Sequence, residues 1–415
     1  MKLLNRLWLA AAFVSLAGGV SAQSIADRFI EAYSAAEEQL QNREYKAAVK
    51  GYDAVERMVA SVTPEQRDSL AERFGCDAEE LIDGMSYNYA CALALTGSKR
   101  KALDRYERFV DGTVGKSEHY NYEWVAEEDS DLDCIRSDKR FKAAAARLKE
   151  WCDYRHILRQ AAPYCRQQCD TLPRWRYAAP NDRELVRVRE YFKLDSIAGA
   201  GDELSKIKNI LRWVHDNIPH DGSSSWPEER NSIAMYELCK REGRGINCRM
   251  LAQVLNECYL SMGLKSRYVT CLPRTMVSDC HVINVVYSNQ LDKWVWVDPT
   301  FNAYLTDDRG EMMSIEEVRE CILEGRKCHL NEDANWNNRS PQTYEHYIEH
   351  YMAKNLYFLQ CRSVSEWAAE SNEKQAQPCR MVTLVPSDTY SSCKPDGRNA
   401  YTADAEWFWQ SPYIE

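Results

Sequence analysis

Gly245-Ile246-Asn247-Cys248-Arg249-Met250-Leu251-Ala252 is the stretch from which the rest of the 415-residue chain can be read. Beyond it, Leu251, Ala252, Leu255, Tyr259 and Met262 recur every three or four residues until Gly263. That is the spacing of an amphipathic helix ended by a glycine. Cys248 therefore falls in the first turn of a helix, directly after the loop Gly243-Arg244-Gly245-Ile246-Asn247. A thiol placed there meets unpaired N–H groups and the positive end of the helix dipole, which favour thiolate over thiol. The same N–H groups can donate to an oxyanion.

Three segments downstream read as strands, being rich in β-branched and aromatic residues: 266–272, 281–287 (HVINVVY) and 294–298 (WVWVD). Turn formers fill 288–293, which predicts a hairpin. A tight turn centred between Asn289 and Gln290 puts His281 directly opposite Asp298. Opposed Cβ atoms lie about 4.5–5.5 Å apart, within reach for an imidazole and a carboxylate. A slip of one residue sends one partner to the other face. Alone, Cys248 reads as half of a disulfide, His281 as a core histidine and Asp298 as a turn former before Pro299. Together and in this order they form a candidate site, with Cys248 as nucleophile, His281 as base and Asp298 as the group that fixes the imidazole tautomer.

Four pieces of sequence carry a resemblance. They are Gly-Ile-Asn-Cys-Arg-Met-Leu-Ala (245–252), Met-Gly-Leu-Lys-Ser-Arg-Tyr-Val (262–269), Cys-His-Val-Ile-Asn-Val-Val-Tyr (280–287) and Trp-Val-Trp-Val-Asp-Pro-Thr-Phe-Asn (294–302). In this order, over residues 200–305, they resemble the transglutaminase-like core. The resemblance implies a papain-like α+β fold with an antiparallel sheet, and places the triad at Cys248, His281 and Asp298. It implies a thiol hydrolase or acyltransferase that attacks an amide or peptide bond and passes through a thioester. Water is the favoured acceptor, and a crosslinking amine is the alternative. A binding module with an inert triad, relying on its N-terminal helices, is the reading from another class. Peptide deglycosylation shares the fold but has no signal of its own here. Many members have Gly-x-Cys, whereas this chain spaces the pair one residue further, Gly245 to Cys248. Trp226 and Asn247 are the candidates for a side-chain oxyanion donor.

Upstream, Ile207, Ile210, Leu211, Val214 and Ile218 share one face of a helix that starts near Asp202 and stops at Pro219. Residues 151–200 read as a connector with Pro163, Pro173 and Pro180. Residues 23–150 read as all helical. Ile25 to Met58 has helical spacing, with no glycine or proline before Gly51. The run Tyr45-Lys46-Ala47-Ala48-Val49 to Tyr52, and the later run from Tyr89 through Gly97 to Tyr106, resemble tetratricopeptide repeats. That resemblance implies a protein or peptide partner on the repeats. The expected division is 1–22 leader, 23–150 helical domain, 151–200 connector, 201–310 catalytic core and 311–415 an extension of that core.

Lys2 and Arg6, the apolar run 7–20 and the small residues Val20-Ser21-Ala22 predict a cleaved signal peptide and a mature chain from Gln23, periplasmic or secreted. The apolar run falls short of the roughly 20 residues that span a bilayer, so no membrane span is expected after cleavage. A net charge of −10 opposes binding to nucleic acid. Sixteen cysteines in an exported chain suggest disulfides, with Cys165/Cys169, Cys271/Cys280 and Cys321/Cys328 as candidate pairs. His346-Tyr347-Ile348-Glu349-His350 matches a zinc-protease pattern, and Asp129, Asp131 and Asp133 alternate as in a calcium loop, but neither set is complete. Cys328-His329 beside Cys321 reads as a disulfide or buried thiols rather than a metal site. No cofactor or metal is called for.

Overall fold

The computed structural model describes residues 24–115, 128–166, 172–274, 280–377 and 381–413. The expected leader at 1–22 and Cys169 lie outside them. The chain divides after Asp153 into two compact units.

The first unit is helical: α1 (Ile25–Gln41), α2 (Tyr45–Ala60), α3 (Pro64–Phe74), α4 (Ala78–Leu95), α5 (Lys99–Thr113) and α6 (Lys139–Cys152). The run expected from Ile25 to Met58 is broken at Asn42, where Arg43 takes a left-handed φ of 65°. No glycine marks this turn, which is why the spacing alone hides it. Gly51 lies where α2 crosses α1; a Cβ there would stand 2.8 Å from the Ala36 Cβ. Capping boxes at Thr63/Gln66 and Asp77/Glu80 start α3 and α4. Leu40, Tyr52, Leu93 and Tyr106 lie in the core between the helices.

The second unit is α+β. Its helices α7 (Glu203–Asn217), α8 (Ser232–Glu242) and α9 (Cys248–Ser261) precede β1 (Ser266–Leu272), β2 (His281–Ser288) and β3 (Lys293–Val297). A small hairpin of β4 (Asn335–Trp336) and β5 (Ser340–Pro341) follows, then β6 (Phe358–Arg362), β7 (Met381–Leu384) and β8 (Asn399–Thr402). The main sheet has six strands in the order β8-β7-β6-β1-β2-β3, antiparallel except for the parallel edge pair β7–β8. Three of its strands come from the segment after residue 311, so that segment builds half the sheet. α7 is capped by Asp202 and buries Ile207, Ile210, Leu211 and Val214, as its spacing predicts. From Met250 to Ser261 every residue of α9 is buried, so this helix runs through the interior rather than over the surface. Asn284 of β2 donates to the Ala252 carbonyl at 2.9 Å and ties helix to sheet.

The β2–β3 register departs from expectation. Asn284 pairs with Val297, Val286 with Val295 and Ser288 with Lys293, so the connection is the four residues 289–292. The cause is tertiary. The Glu203 carboxylate at the start of α7 accepts from the Ser288 hydroxyl (2.7 Å), the Asn289 amide (2.9 Å) and the Gln290 N–H (3.2 Å), drawing out a wider loop. The displacement is two residues. Because strand side chains alternate with period two, His281 and Asp298 stay on one face as a diagonal pair rather than an opposed one.

Cys271, Cys321 and Cys328 are free thiols, so the candidate disulfides Cys271/Cys280 and Cys321/Cys328 are not formed, while the pair Cys165/Cys169 extends outside the described residues. Cys271 lies opposite His281 in the β1–β2 ladder, and Cys280, one residue earlier, falls at the alternate phase. Arg326 donates to the Cys321 sulfur at 3.2 Å. Among the described residues no helix is long and apolar enough to cross a membrane.

Candidate active site

Cys248 is the first residue of α9. Its N-cap, Asn247, accepts the Met250 N–H at 3.1 Å with its side-chain oxygen. The Cys248 N–H is among the four that a helix leaves without an internal acceptor. Three buried polar residues fix the body of the helix. Gln253 donates to the Arg230 carbonyl (2.6 Å) and to Glu257 (2.8 Å), and Glu257 accepts the N–H groups of Ser232 (2.9 Å) and Ala368 (3.0 Å). Asn256 donates to Ser365 at 2.9 Å. The helix mouth is therefore held from several sides while the thiol itself stays only partly buried.

His281 opens β2, buried, with Nε2 2.7 Å from Asp298 Oδ2. Nδ1 is then the ring nitrogen left for Cys248, with which the imidazole shares a hydrogen bond. The Asp298 carboxylate is fully buried and has no freedom to turn. Its Oδ1 accepts the Thr300 N–H at 2.8 Å, and its Oδ2 also accepts the Tyr347 hydroxyl at 2.7 Å. Its backbone bridges to Ala303 in both directions. The His281 ring is flanked by Tyr351 at 5.2 Å and Phe301 at 5.7 Å between centroids.

Burial alone pushes the Cys248 thiol up, but hydrogen bonds from His220 and His281 and the attraction of the His281 ring outweigh it and bring its pKa down to about 6. For His281 the order of causes is similar. Burial disfavours the imidazolium, and the Asp298 carboxylate, with Cys248 behind it, reverses this and raises it to about 10. The favoured state near neutrality is therefore a thiolate beside an imidazolium.

The second histidine at the sulfur was not found from the sequence. His220 follows Pro219, beyond the end of α7, where a chain-reversing loop gave no signal of chemistry. A parallel bridge to Ile246 brings it alongside the Cys248 loop. Its backbone N–H donates to Asn337 Oδ1 (2.7 Å), and its carbonyl accepts from Asn337 Nδ2 (2.9 Å). Its ring Nδ1 accepts the Trp336 indole N–H at 3.1 Å. Both clamps sit on the β4–β5 hairpin, more than a hundred residues away in sequence. Of the two residues considered as side-chain oxyanion donors, Asn247 has both of its side-chain groups in use. Asn247 caps its helix and donates to the Ser224 carbonyl at 3.4 Å, while Trp226 packs on the core of α7–α9 under the Arg230 guanidinium, 5.0 Å from its ring.

The zinc-like segment serves the site through its tyrosines. Residues Glu345–Met352 form a π-helical turn that turns Tyr347 and Tyr351 to the Asp298–His281 pair. His346 bonds Gln342, and Glu349 pairs with Arg155 at 3.3 Å. Asp129 and Asp131 gather with Cys91, but Asp133 pairs with Arg136 at 3.1 Å instead of completing a loop. His329 turns to Asp308 at 2.9 Å.

Residues 192–299 match the family model of the transglutaminase-like superfamily. The chain carries a transglutaminase-like domain. The match takes in His220, Cys248, His281 and Asp298 and stops before Trp336, Asn337 and Tyr347. No curated protein matches the chain. Among solved structures, one from Cytophaga hutchinsonii provisionally named a cysteine protease is similar at 16% identity over 28% of this chain, with a TM-score of 0.22. The likeness spans 37% of that protein's length and is too low to bear on fold or function. The arrangement brings together a thiol at a helix mouth, an imidazole hydrogen-bonded to a buried carboxylate, and a second imidazole at the sulfur.

Proposed function

We propose that this chain is an exported cysteine hydrolase that cleaves an amide or peptide bond through a thioester, with Cys248 as nucleophile, His281 as base and Asp298 as orienter. The observation that carries the reading is the chain of hydrogen bonds Cys248–His281–Asp298, with the last contact at 2.7 Å between side chains that are almost wholly buried. Export is part of the proposal and rests on Lys2, Arg6 and the apolar run that follows them.

The thiolate attacks the carbonyl carbon and the π electrons move to oxygen. Collapse breaks the C–N bond, and the imidazolium gives its proton to the departing amine. Water then attacks the thioester and gives a proton to His281, and the acid leaves as the thiolate is restored. Asp298 keeps the proton-carrying Nε2 turned inward, so that Nδ1 faces the sulfur throughout.

The test is labelling of the full chain with electrophilic probes, followed by turnover of peptide and cell-wall amide libraries. Activity is expected in the wild type and lost in Cys248→Ala. An amidase activity that survives Cys248→Ala removes the reading. Incorporation of a labelled amine into a glutamine-bearing protein would move the acceptor from water to amine.

A further inference from the structure

Two imidazoles meet one sulfur, and their second partners are opposite in kind. His281 has a carboxylate behind it. His220 has an indole N–H behind it, at 3.1 Å on Nδ1. An indole can only donate, so Nδ1 of His220 must accept and the ring proton sits on Nε2. With Nδ1 occupied, His220 keeps no lone pair with which to take the thiol proton. Toward Cys248 it can only give a hydrogen bond, and its side chain is hydrogen-bonded to that sulfur. The ring is also held in place from its backbone. Asn337 clasps the N–H and carbonyl of His220 at 2.7 and 2.9 Å, and the chain on either side is stitched to the nucleophile loop by Ile246 N–H to the Pro219 carbonyl (2.9 Å) and Asp221 N–H to the Ile246 carbonyl (2.8 Å).

We propose that His220 is a catalytic residue of this site, a neutral Nε2–H donor that, with the Cys248 amide, receives the negative charge as it moves from sulfur to carbonyl oxygen. The proposal rests on the thiol acyl-transfer reading above and deepens it. When the thiolate attacks, the S–C bond forms, the π pair moves to oxygen, and the charge leaves sulfur for the carbonyl oxygen two bonds away. A fixed donor already aimed at the sulfur has only to pivot to meet it, and needs no solvent reorganisation. The division of labour is set by the partners: the histidine backed by Asp298 moves the proton, and the histidine backed by Trp336 stabilises the charge. A neutral donor suits this task better than a cation, because an imidazolium there would hold the thiolate in its ground state and lose as much as it gains.

Two probes that share the nucleophile and differ in the oxyanion test this. Acetylation by p-nitrophenyl acetate passes through a tetrahedral oxyanion and releases p-nitrophenolate. Alkylation by iodoacetamide displaces iodide at a saturated carbon and makes no oxyanion. Both are followed at Cys248 by peptide mass spectrometry on the full chain, with Cys248→Ala as background. His220→Ala is expected to slow acetylation by about 100-fold or more, while alkylation at pH 8 changes by less than about fivefold. His220→Gln, which keeps a side-chain N–H, is expected to regain at least about tenfold of the acetylation rate over His220→Ala and guards against a folding artefact. His281→Ala is expected to slow both reactions. If His220→Ala slows both reactions equally, or neither, the donor role is overturned. If wild-type Cys248 reacts with neither probe, the acyl-transfer reading itself fails and takes this proposal with it.

Discussion

Tyr347 and His281 share one atom: both hydrogen bonds, each 2.7 Å long, end on Oδ2 of Asp298. The tyrosine draws charge from the oxygen that holds the imidazole, and it is itself tied to the Trp296 indole N–H at 3.1 Å. Tyr347→Phe strips a donor from a buried carboxylate and orphans that indole N–H. A hydrogen bond to a charged group contributes about 1.5–3 kcal/mol, and a loss of that order is expected in urea unfolding. The His281–Asp298 bond then tightens, so the alkaline limb of activity should move to higher pH. An unchanged or lower alkaline limb would contradict the shared-acceptor account.

The pair of shifts at Cys248 and His281 fixes a pH window. Below about 6 the sulfur is protonated and the nucleophile is lost; above about 10 the imidazolium loses its proton and with it the acid for the leaving group. The plot of kcat/KM against pH should be a bell with limbs near these values, which belong to the coupled pair rather than to either residue. Alkylation of Cys248 by iodoacetamide needs only the thiolate, so it should show the lower limb alone. A rate that keeps rising to pH 9, as for an ordinary thiol, would mean that no ion pair forms.

The sequence stated some of this plainly and kept some of it hidden. The helix mouth at Cys248, the strands around His281 and Asp298 and the helix opened by Asp202 are written in local spacing, and they appear where that spacing puts them. The hairpin register was legible only to within two residues, because a distant carboxylate, Glu203, sets the loop. Parity survived the error, so the pair still meets. His220, Trp336, Asn337 and Tyr347 had no local signature. Each acts through a partner far along the chain, and the only cue to Tyr347 was a run of tyrosines around a histidine pattern that pointed toward metal.

Asp298→Asn isolates the carboxylate from its shape. The side chain faces three donors: His281 Nε2–H, the Tyr347 hydroxyl and the Thr300 N–H. An amide can meet one side with its oxygen and must point its NH2 at the other. If the NH2 faces His281, the imidazole takes the wrong tautomer and turns a proton toward the sulfur; if it faces Thr300, the imidazolium loses its counter-charge. Either way kcat is expected to fall by roughly 10⁴, the scale seen when a triad carboxylate is neutralised, with KM little changed. A loss of less than about tenfold would show that His281 does not depend on this carboxylate.

Gly245→Ala tests the packing that brings the His220 segment against the nucleophile loop. A Cβ at this position would stand 2.6 Å from the Pro219 carbonyl oxygen, 2.9 Å from the Asp221 nitrogen and 2.9 Å from the His220 carbonyl carbon. All three are backbone atoms inside the bridge to Ile246, so no side chain can swing aside to make room. The segment 219–221 must move away from the nucleophile loop, and His220 moves with it. Overpacking of this kind costs about 1–3 kcal/mol, to be read from thermal or urea unfolding. The extra residue between this glycine and Cys248 thus acquires a physical account: the glycine serves the approach of residues 219–221, and Asn247 is left to cap the helix. The variant should keep the hydrogen bond between His281 and Asp298, since neither touches the bridge, and so retain a thiolate that alkylates near neutral pH. Acetylation at Cys248 should fall by an order of magnitude or more. If acetylation in Gly245→Ala matches the wild type, the close approach of these segments has no part in the chemistry.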